Sequence, residues 1–178
     1  MNFNKVVKDK LDLLMSDNNF DLTEQFEDSV RYENNGLYLS FCHNLREKSN
    51  IFWVGRDKGI PIEMSNRILN QVFNCNIKIE TTSVTKFISN VYNFLITDGI
   101  SLLKANEKVY FELEKTVEKQ SKEYTSQLKE RQYLEAAEKA WRNKNYSDVL
   151  KNLNKVDENR LSDSFKKKYN IASKNSDS

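Results

Sequence analysis

The sequence predicts an α+β fold in which a small antiparallel sheet of about four strands is packed by helices and followed by further helices. Three observations predict it. Apolar residues alternate on both sides of Asn35-Gly36, which is the strongest short-range signal for a β-hairpin. Elsewhere in the first hundred residues, apolar side chains recur at helical spacing. Residues 106–144 contain no proline or glycine, as a long helix requires.

The first element is predicted to be an amphipathic helix over residues 3–15, which the polar run 16–19 ends. Its apolar face consists of Phe3, Val6, Val7, Leu11 and Leu14. On the overall pattern, the 178 residues divide into an α+β domain over 1–103 and a second part over 104–178, which holds a long helix and a helical hairpin.

The hairpin has a predicted register. With Asn35 and Gly36 as the two loop residues of a type I′ turn, each residue of one strand is assigned an opposite residue on the other. The predicted pairs are Tyr32 with Leu39, Val30 with Phe41, Asp28 with His43, and Phe26 with Leu45. One face of the hairpin is therefore apolar except for an acid and a histidine at its open end.

A third strand is predicted at 51–54 and a short fourth strand at 77–81, where apolar residues alternate again. Between them, a helical stripe runs from Met64 to Phe73, with Ser65 or a neighbour as its cap. The most apolar segment follows at 84–96. We expect it to be a helix that begins after Ser83, ends with a left-handed residue at Asp98-Gly99 and lies buried against the sheet.

The long helix carries a sparse apolar seam. Its members are Tyr110, Leu113, Val117, Tyr124 and Leu128. Such a seam can bind a partner helix or a second copy of the chain, and it can equally pack back on the sheet domain. Both alternatives stay open from the sequence.

The segment 133–172 resembles a tetratricopeptide-repeat hairpin. The residues that carry the resemblance are Ala140 before the turn, Tyr146 on the following helix, and the packing residues Leu150 and Leu153. Lys144 stands where the family has its turn glycine, Val149 where alanine is usual, and no closing proline follows Val156. Such units bury their core by stacking on neighbouring units. The resemblance therefore implies one helical hairpin that packs against another element of the chain. A generic helical hairpin is the alternative.

The sequence predicts no catalytic, cofactor-binding or metal-binding residues. His43 is the single histidine, and its neighbour Cys42 points to the opposite face of a strand, so the two cannot form a nucleophile–base pair. The same alternation separates these two residues as zinc ligands, and Cys75 adds no second ligand pair.

Two features could still serve a ligand. Asp28 and His43 form either an acid/base couple or a polar pair that closes the hairpin, and the structural role is favoured because no third catalytic group is near in sequence. The turn 55–59 holds two glycines and two cations and could wrap an anion, but it lacks the spacing of phosphate-binding loops, so a charged turn is favoured.

Charge and composition narrow the class of partner. The chain has 28 basic and 26 acidic residues, a formal net charge of +2, which is too close to neutral to indicate nucleic acid or a membrane surface. No apolar run is long enough to span a bilayer. The two cysteines are too few for a disulfide framework, so a reducing cytoplasm is expected.

These observations predict a non-enzymatic, cytoplasmic protein-binding protein with no cofactor. In outline the chain is similar to small bacterial immunity proteins and secretion chaperones. The sequence does not identify the protein partner. Two alternatives remain: a small enzyme or anion-binding domain that uses the sheet end near Asp28 and His43 together with the turn 55–59, and a homodimeric scaffold joined through the helix seam.

Overall fold

The structure is a computed structural model that describes residues 2–175, and it confirms the α+β fold. The helices are α1 (Phe3–Asp17), α2 (Asn66–Phe73), α3 (Val84–Ile96), α4 (Ile100–Leu103), α5 (Glu107–Arg142), α6 (Tyr146–Leu153) and α7 (Asp163–Asn175). The strands are β1 (Asp21–Gln25), β2 (Ser29–Asn34), β3 (Leu37–Asn44), β4 (Ser49–Arg56) and β5 (Ile62–Glu63).

The chain forms two compact units, one extending to Glu118 and the other beginning at Lys119. This boundary lies within α5, whereas the sequence placed a boundary at residue 103. The difference has a physical cause. Tyr110 and Leu113 lie on the first turns of α5 and are buried in the core of the first unit, so those turns belong to the first unit.

The strands of the first unit form an antiparallel meander in the order β1-β2-β3-β4-β5. The predicted register is confirmed for the paired strands, because Val30 lies opposite Phe41 and Tyr32 opposite Leu39. The predicted pair of Phe26 with Leu45 is wrong, because Phe26 precedes β2, in the turn that joins β1 to it. At the turn, φ is 49° at Asn35 and 78° at Gly36. Two consecutive positive φ angles are what a type I′ turn demands, and asparagine and glycine tolerate them best.

Strand β1 was not predicted from the sequence. All five of its residues are exposed, so no buried face imposes an alternating pattern. Its pairing with β2 is also irregular, with a bulge between Leu22 and Glu24. Bulged, polar edge strands resist pairing with other chains, which suits an outermost strand.

The predicted strand at 77–81 is wrong, and the strand that follows β4 in the sheet is β5. In segment 77–81, side chains satisfy backbone groups that a neighbouring strand would otherwise bond. Asn66 Oδ1 accepts a hydrogen bond from the Ile79 amide at 2.8 Å, and the Asn90 side chain donates to the Lys78 carbonyl at 2.7 Å. Alternating apolar residues therefore occur here in an irregular segment held by asparagines.

The core of the first unit lies on one face of the sheet. Helix α1 packs on β1 and β2, α3 packs on β4, and the two helices contact each other. The prediction that segment 84–96 is a buried helix is confirmed, since Phe87, Ile88, Val91, Phe94 and Leu95 are all buried. The predicted caps are also present, because Ser65 and Ser83 accept hydrogen bonds at the starts of α2 and α3.

The predicted left-handed end of α3 is wrong. Gly99 has φ −89°, an ordinary value for any residue. Glycine is needed there for space, because a Cβ atom would lie 2.6 Å from the ring of Phe94, which is fully buried. The close approach of the Phe94 ring, and not the backbone conformation, explains why this residue is glycine.

The second unit is a small helical assembly with its own core. The end of α5, α6, a 3₁₀ turn at Glu158–Arg160 and α7 surround it. Its buried members are Ala137, Ala140, Val149, Leu153, Val156, Leu161 and Ala172. Lys144, which stands at the turn position of the repeat family, follows the end of α5 with φ 55°, and the Asn145 side chain caps α6 by accepting a hydrogen bond from the Asp148 amide.

Replacing Lys144 by glycine is expected to stabilise the second unit. A side chain in the left-handed region costs roughly 1 kcal/mol, and glycine removes most of that cost, so the free energy of unfolding should rise by about 0.5 to 1 kcal/mol. Urea denaturation followed by circular dichroism measures it. The control is Lys139→Gly inside α5, which should lower stability by about 1 kcal/mol. Equal losses in both variants would contradict the left-handed assignment.

Candidate functional site

The predicted pair of Asp28 and His43 is only partly formed. The two residues are opposite, and the His43 amide donates to the Asp28 carbonyl at 2.8 Å. The imidazole bonds elsewhere: its Nδ1 lies 2.8 Å from Oδ1 of Asn50, and its ring stacks on Phe3. Asn50 in turn donates to the Thr81 carbonyl. The polar pair favoured from the sequence is therefore replaced by a histidine–asparagine pair, which joins β3 and β4 to segment 77–81.

A cleft of about 760 Å³ lies beside this pair at the open end of the sheet. It is lined by Asn2, Phe3, Phe26, Glu27, Asp28, His43, Leu45 and Val84. Its rim carries two exposed apolar side chains, Phe26 at 61% and Leu45 at 70% exposure. The lining residues include no serine, threonine, cysteine or lysine, so the side chains of nucleophilic type in the cleft are the carboxylates of Glu27 and Asp28 and the imidazole of His43.

The turn 55–59 has a structural use. The Arg56 guanidinium donates to the Glu107 carbonyl at 3.1 Å and lies over the ring of Tyr110, with 5.8 Å to the ring centroid. It thus attaches the first turn of α5 to the end of β4. One of the two cations of this turn is therefore engaged within the first unit, in line with the favoured interpretation as a charged turn.

The predicted helix seam is divided between the two units. Tyr110 and Leu113 are buried in the core of the first unit, and Val117 packs against that core. This corrects the partner-binding assignment for these three residues. Of the remaining two, both in the second unit, Leu128 is partly buried and Tyr124 is 68% exposed.

A second surface of the first unit was not singled out from the sequence. Successive residues of a strand point to opposite sides, so the residues between the buried ones form what we call the outer face of the sheet. It includes Asp21, Glu24, Ser29, Arg31, Glu33, Tyr38, Ser40, Cys42, Ile51, Trp53, Gly55 and Glu63. Within the described part of the first unit, α1 and α3 pack on the other face of the sheet, against the core-facing residues.

Arg31 and Tyr38 form the ordered part of the outer face. The guanidinium carbon of Arg31 lies 3.9 Å from the centroid of the Tyr38 ring, a cation–π contact. Arg31 also pairs with Glu33 at 2.6 Å and with Glu24 at 3.5 Å. Burial raises the pKa of Tyr38, which the charge of Arg31 opposes. The arginine is therefore held in one position by a ring and two carboxylates.

Gly55 allows the Tyr38 ring to lie flat on the sheet. The two residues are opposite each other on β3 and β4, and a Cβ atom on Gly55 would lie 2.4 Å from the tyrosine hydroxyl. The glycine, which the sequence indicated as part of a turn, is buried in the strand. The close packing of the Tyr38 ring against the backbone explains why this residue is glycine.

Trp53 lies next to this tyrosine and borders a shallow cleft. The cleft has a volume of about 370 Å³ and is lined by Glu24, Arg31, Tyr38, Ser40, Trp53 and Pro61. Trp53 is opposite Ser40 on β3 and Glu63 on β5, and the small serine leaves one side of the indole open. The indole is partly buried, so it presents a rigid surface that is still accessible.

The cysteines supply no reactive group. Cys42 lies on the outer face and Cys75 is buried in the core, and burial raises the pKa of both thiols. Both sulfurs therefore stay protonated at neutral pH and are poor nucleophiles. Within residues 2–175, no three side chains of the metal-binding types come together.

No family model, curated protein or solved structure matches this chain. No helix within residues 2–175 combines the length and the apolar character needed to cross a bilayer. The outer face did have a signal in the sequence. Tyr38 and Trp53 occupy positions between core residues, where a solvent-facing strand residue is usually small, polar or charged.

Proposed function

We propose that this chain is a non-enzymatic, cytoplasmic protein-binding protein, of the immunity, adaptor or chaperone kind, and that it binds its partner through the outer face of the sheet. The observation that carries the proposal is the partly exposed Trp53 and Arg31, with Tyr38 buried beneath the arginine, on a sheet face that α1 and α3 leave open. Tryptophan, tyrosine and arginine are the side chains that most often dominate protein–protein binding energy.

Rigidity supports this proposal. Trp53 lies on β4, and Arg31 is held by Tyr38, Glu33 and Glu24 before any partner arrives. Side chains that are already ordered lose little conformational entropy on binding, so a larger share of the contact energy becomes affinity. A cluster on paired strands is also positioned more accurately than one on loops.

The second unit enters the proposal as a single hairpin similar to a tetratricopeptide repeat. Two observations support the likeness. The ring of Tyr146 packs edge-on to Trp141, and Lys144 has the left-handed backbone conformation for which that family uses glycine. Such hairpins present grooves to peptides, and a cleft of about 350 Å³ lies between α6 and α7, with Leu153 and Tyr169 among its lining residues.

The test is recovery of a partner by the full-length chain from cells that naturally express it. The tagged chain and a Leu13→Lys control, which alters an exposed apolar residue on α1, should each retain one protein in stoichiometric amount. Trp53→Lys should retain at least roughly tenfold less, since a central aromatic residue contributes this much or more to an interface. Ser40→Lys, which places a charge beside the indole, should act in the same way.

Circular dichroism and thermal melting establish which of Trp53→Lys and Ser40→Lys stays folded, and either folded variant is enough for the test. Equal recovery of the partner by a folded variant would contradict the proposal. So would loss of the partner with Phe26→Lys alone, because that result assigns binding to the cleft beside His43. Thermal stabilisation by nucleotides or phosphate, without any retained protein, would favour the alternative of a ligand-binding domain.

A further inference from the structure

The outer face is acidic although the chain as a whole is slightly basic. The whole chain carries a formal net charge of +2. The outer face carries three glutamates, Glu24, Glu33 and Glu63, together with Asp21, and a single cation, Arg31. The local charge is thus opposite in sign to the net charge, so the composition of the whole chain does not account for it.

The single cation does not neutralise these carboxylates. Arg31 is shared between Glu33 at 2.6 Å, Glu24 at 3.5 Å and the nearby Asp57 at 4.0 Å. Half of the Glu24 side chain and two thirds of the Asp57 side chain remain exposed. Glu63 is exposed beside Trp53, on the other side of the indole from Ser40. Negative charge therefore surrounds an aromatic centre.

We infer that the partner of the outer face is a protein with a basic contact surface, in which lysine or arginine side chains surround an apolar centre. This inference rests on the proposed function and adds the chemistry of the partner. Complementary charge favours such a surface and accelerates its association. The indole adds a cation–π site for one of its cations, and the cleft of about 370 Å³ takes the aliphatic part of that side chain.

The same charges disfavour other occupants. A second copy docked face to face would oppose its own carboxylates with identical ones, and such like-charge contacts oppose association. Nucleic acid would present phosphates to the same carboxylates. A cationic protein surface is the occupant that turns the three glutamates into favourable contacts.

The probe for this inference is a pair of short synthetic peptides with identical tryptophan and leucine positions. One carries lysine and arginine at the remaining positions, and the other carries aspartate and glutamate. Each is titrated into the full chain and followed by NMR of the two indole groups, with Trp53 in the first unit and Trp141 in the second. The cationic peptide should shift the Trp53 resonance and leave that of Trp141 unchanged. It should bind at least roughly tenfold more tightly than the acidic peptide and weaken as salt is raised.

Matched variants assign the effect to the outer face. Glu24→Gln with Glu63→Gln removes two surface carboxylates and should weaken binding of the cationic peptide roughly fivefold, as expected for two exposed ion pairs. The control, Glu47→Gln with Glu112→Gln, removes two exposed carboxylates elsewhere in the first unit and should bind like the parent chain.

Three results would overturn the inference: equal binding of both peptides, shifts confined to other parts of the chain, or unchanged affinity in the Glu24 and Glu63 variant. Its failure is distinguishable from failure of the proposed function. If cells yield a partner whose retention depends on Trp53 but not on salt or on Glu24 and Glu63, the protein-binding proposal stands and the basic partner is wrong. Loss of Trp53 dependence itself rejects both.

Discussion

Replacing Phe41 by alanine is expected to lower the free energy of unfolding of the first unit by about 3 to 5 kcal/mol. Phe41 is fully buried at the centre of β3. Its ring stacks on Phe52 of β4, with ring centroids 5.0 Å apart, and meets Tyr32 of β2 edge-on. Alanine removes contacts with both neighbouring strands and leaves a cavity that a close-packed core fills only in part.

The measurement is urea denaturation followed at the indole of Trp53, which lies on the adjacent strand. Phe111→Ala is the matched control, because Phe111 belongs to the same unit and is mostly exposed, and its stability should change by less than about 0.5 kcal/mol. Similar midpoints for the two variants would show that Phe41 is not the centre of the core.

Replacing Leu153 by alanine is expected to unfold the second unit and leave the first intact. Leu153 is buried at the end of α6, and truncation of such a leucine costs about 2 to 5 kcal/mol. A unit of this size buries a smaller share of its surface than a large domain, so this loss is comparable with its whole stability. The first unit has a separate core and should be unaffected.

NMR of the two indoles distinguishes the outcomes. In Leu153→Ala, the Trp141 resonance should move to its unfolded position while that of Trp53 stays in place. Ile171→Ala, at a largely exposed site on α7, should leave both resonances unchanged. Simultaneous loss of both folded resonances would mean that the two units unfold as one, contrary to their separate cores.

Most elements that the sequence predicted correctly have side chains that face a core along their length; the long helix α5, predicted from its lack of proline and glycine, is the exception. The β2–β3 hairpin has both a buried face and an Asn-Gly turn, and these two signals agree on one register. Helix α3 combines a dense apolar stripe with a serine cap. Strand β1 has no buried residue, and segment 77–81 is bonded by Asn66 and Asn90 from distant positions, so neither had a local signal that identified it.

The candidate site was less accessible to sequence reasoning because it depends on pairing between β3 and β4. The loop between these strands contains no turn signal that fixes a register, so the sequence did not place Trp53 opposite Ser40 or Asn50 opposite His43. Without that register, His43 was assigned to Asp28. The cluster of Arg31, Tyr38 and Trp53 was likewise divided among three separate strands.

Hydrogen–deuterium exchange of the full chain, alone and with the protein that it retains from its native cells, tests the central claim most directly. If that protein covers the outer face, the amides of β3 and β4 around Ser40 and Trp53 should exchange more slowly in the complex, and α1, on the opposite side of the sheet, should be unchanged. Protection confined to α6 and α7, or to the cleft between Phe26 and Leu45, would contradict it.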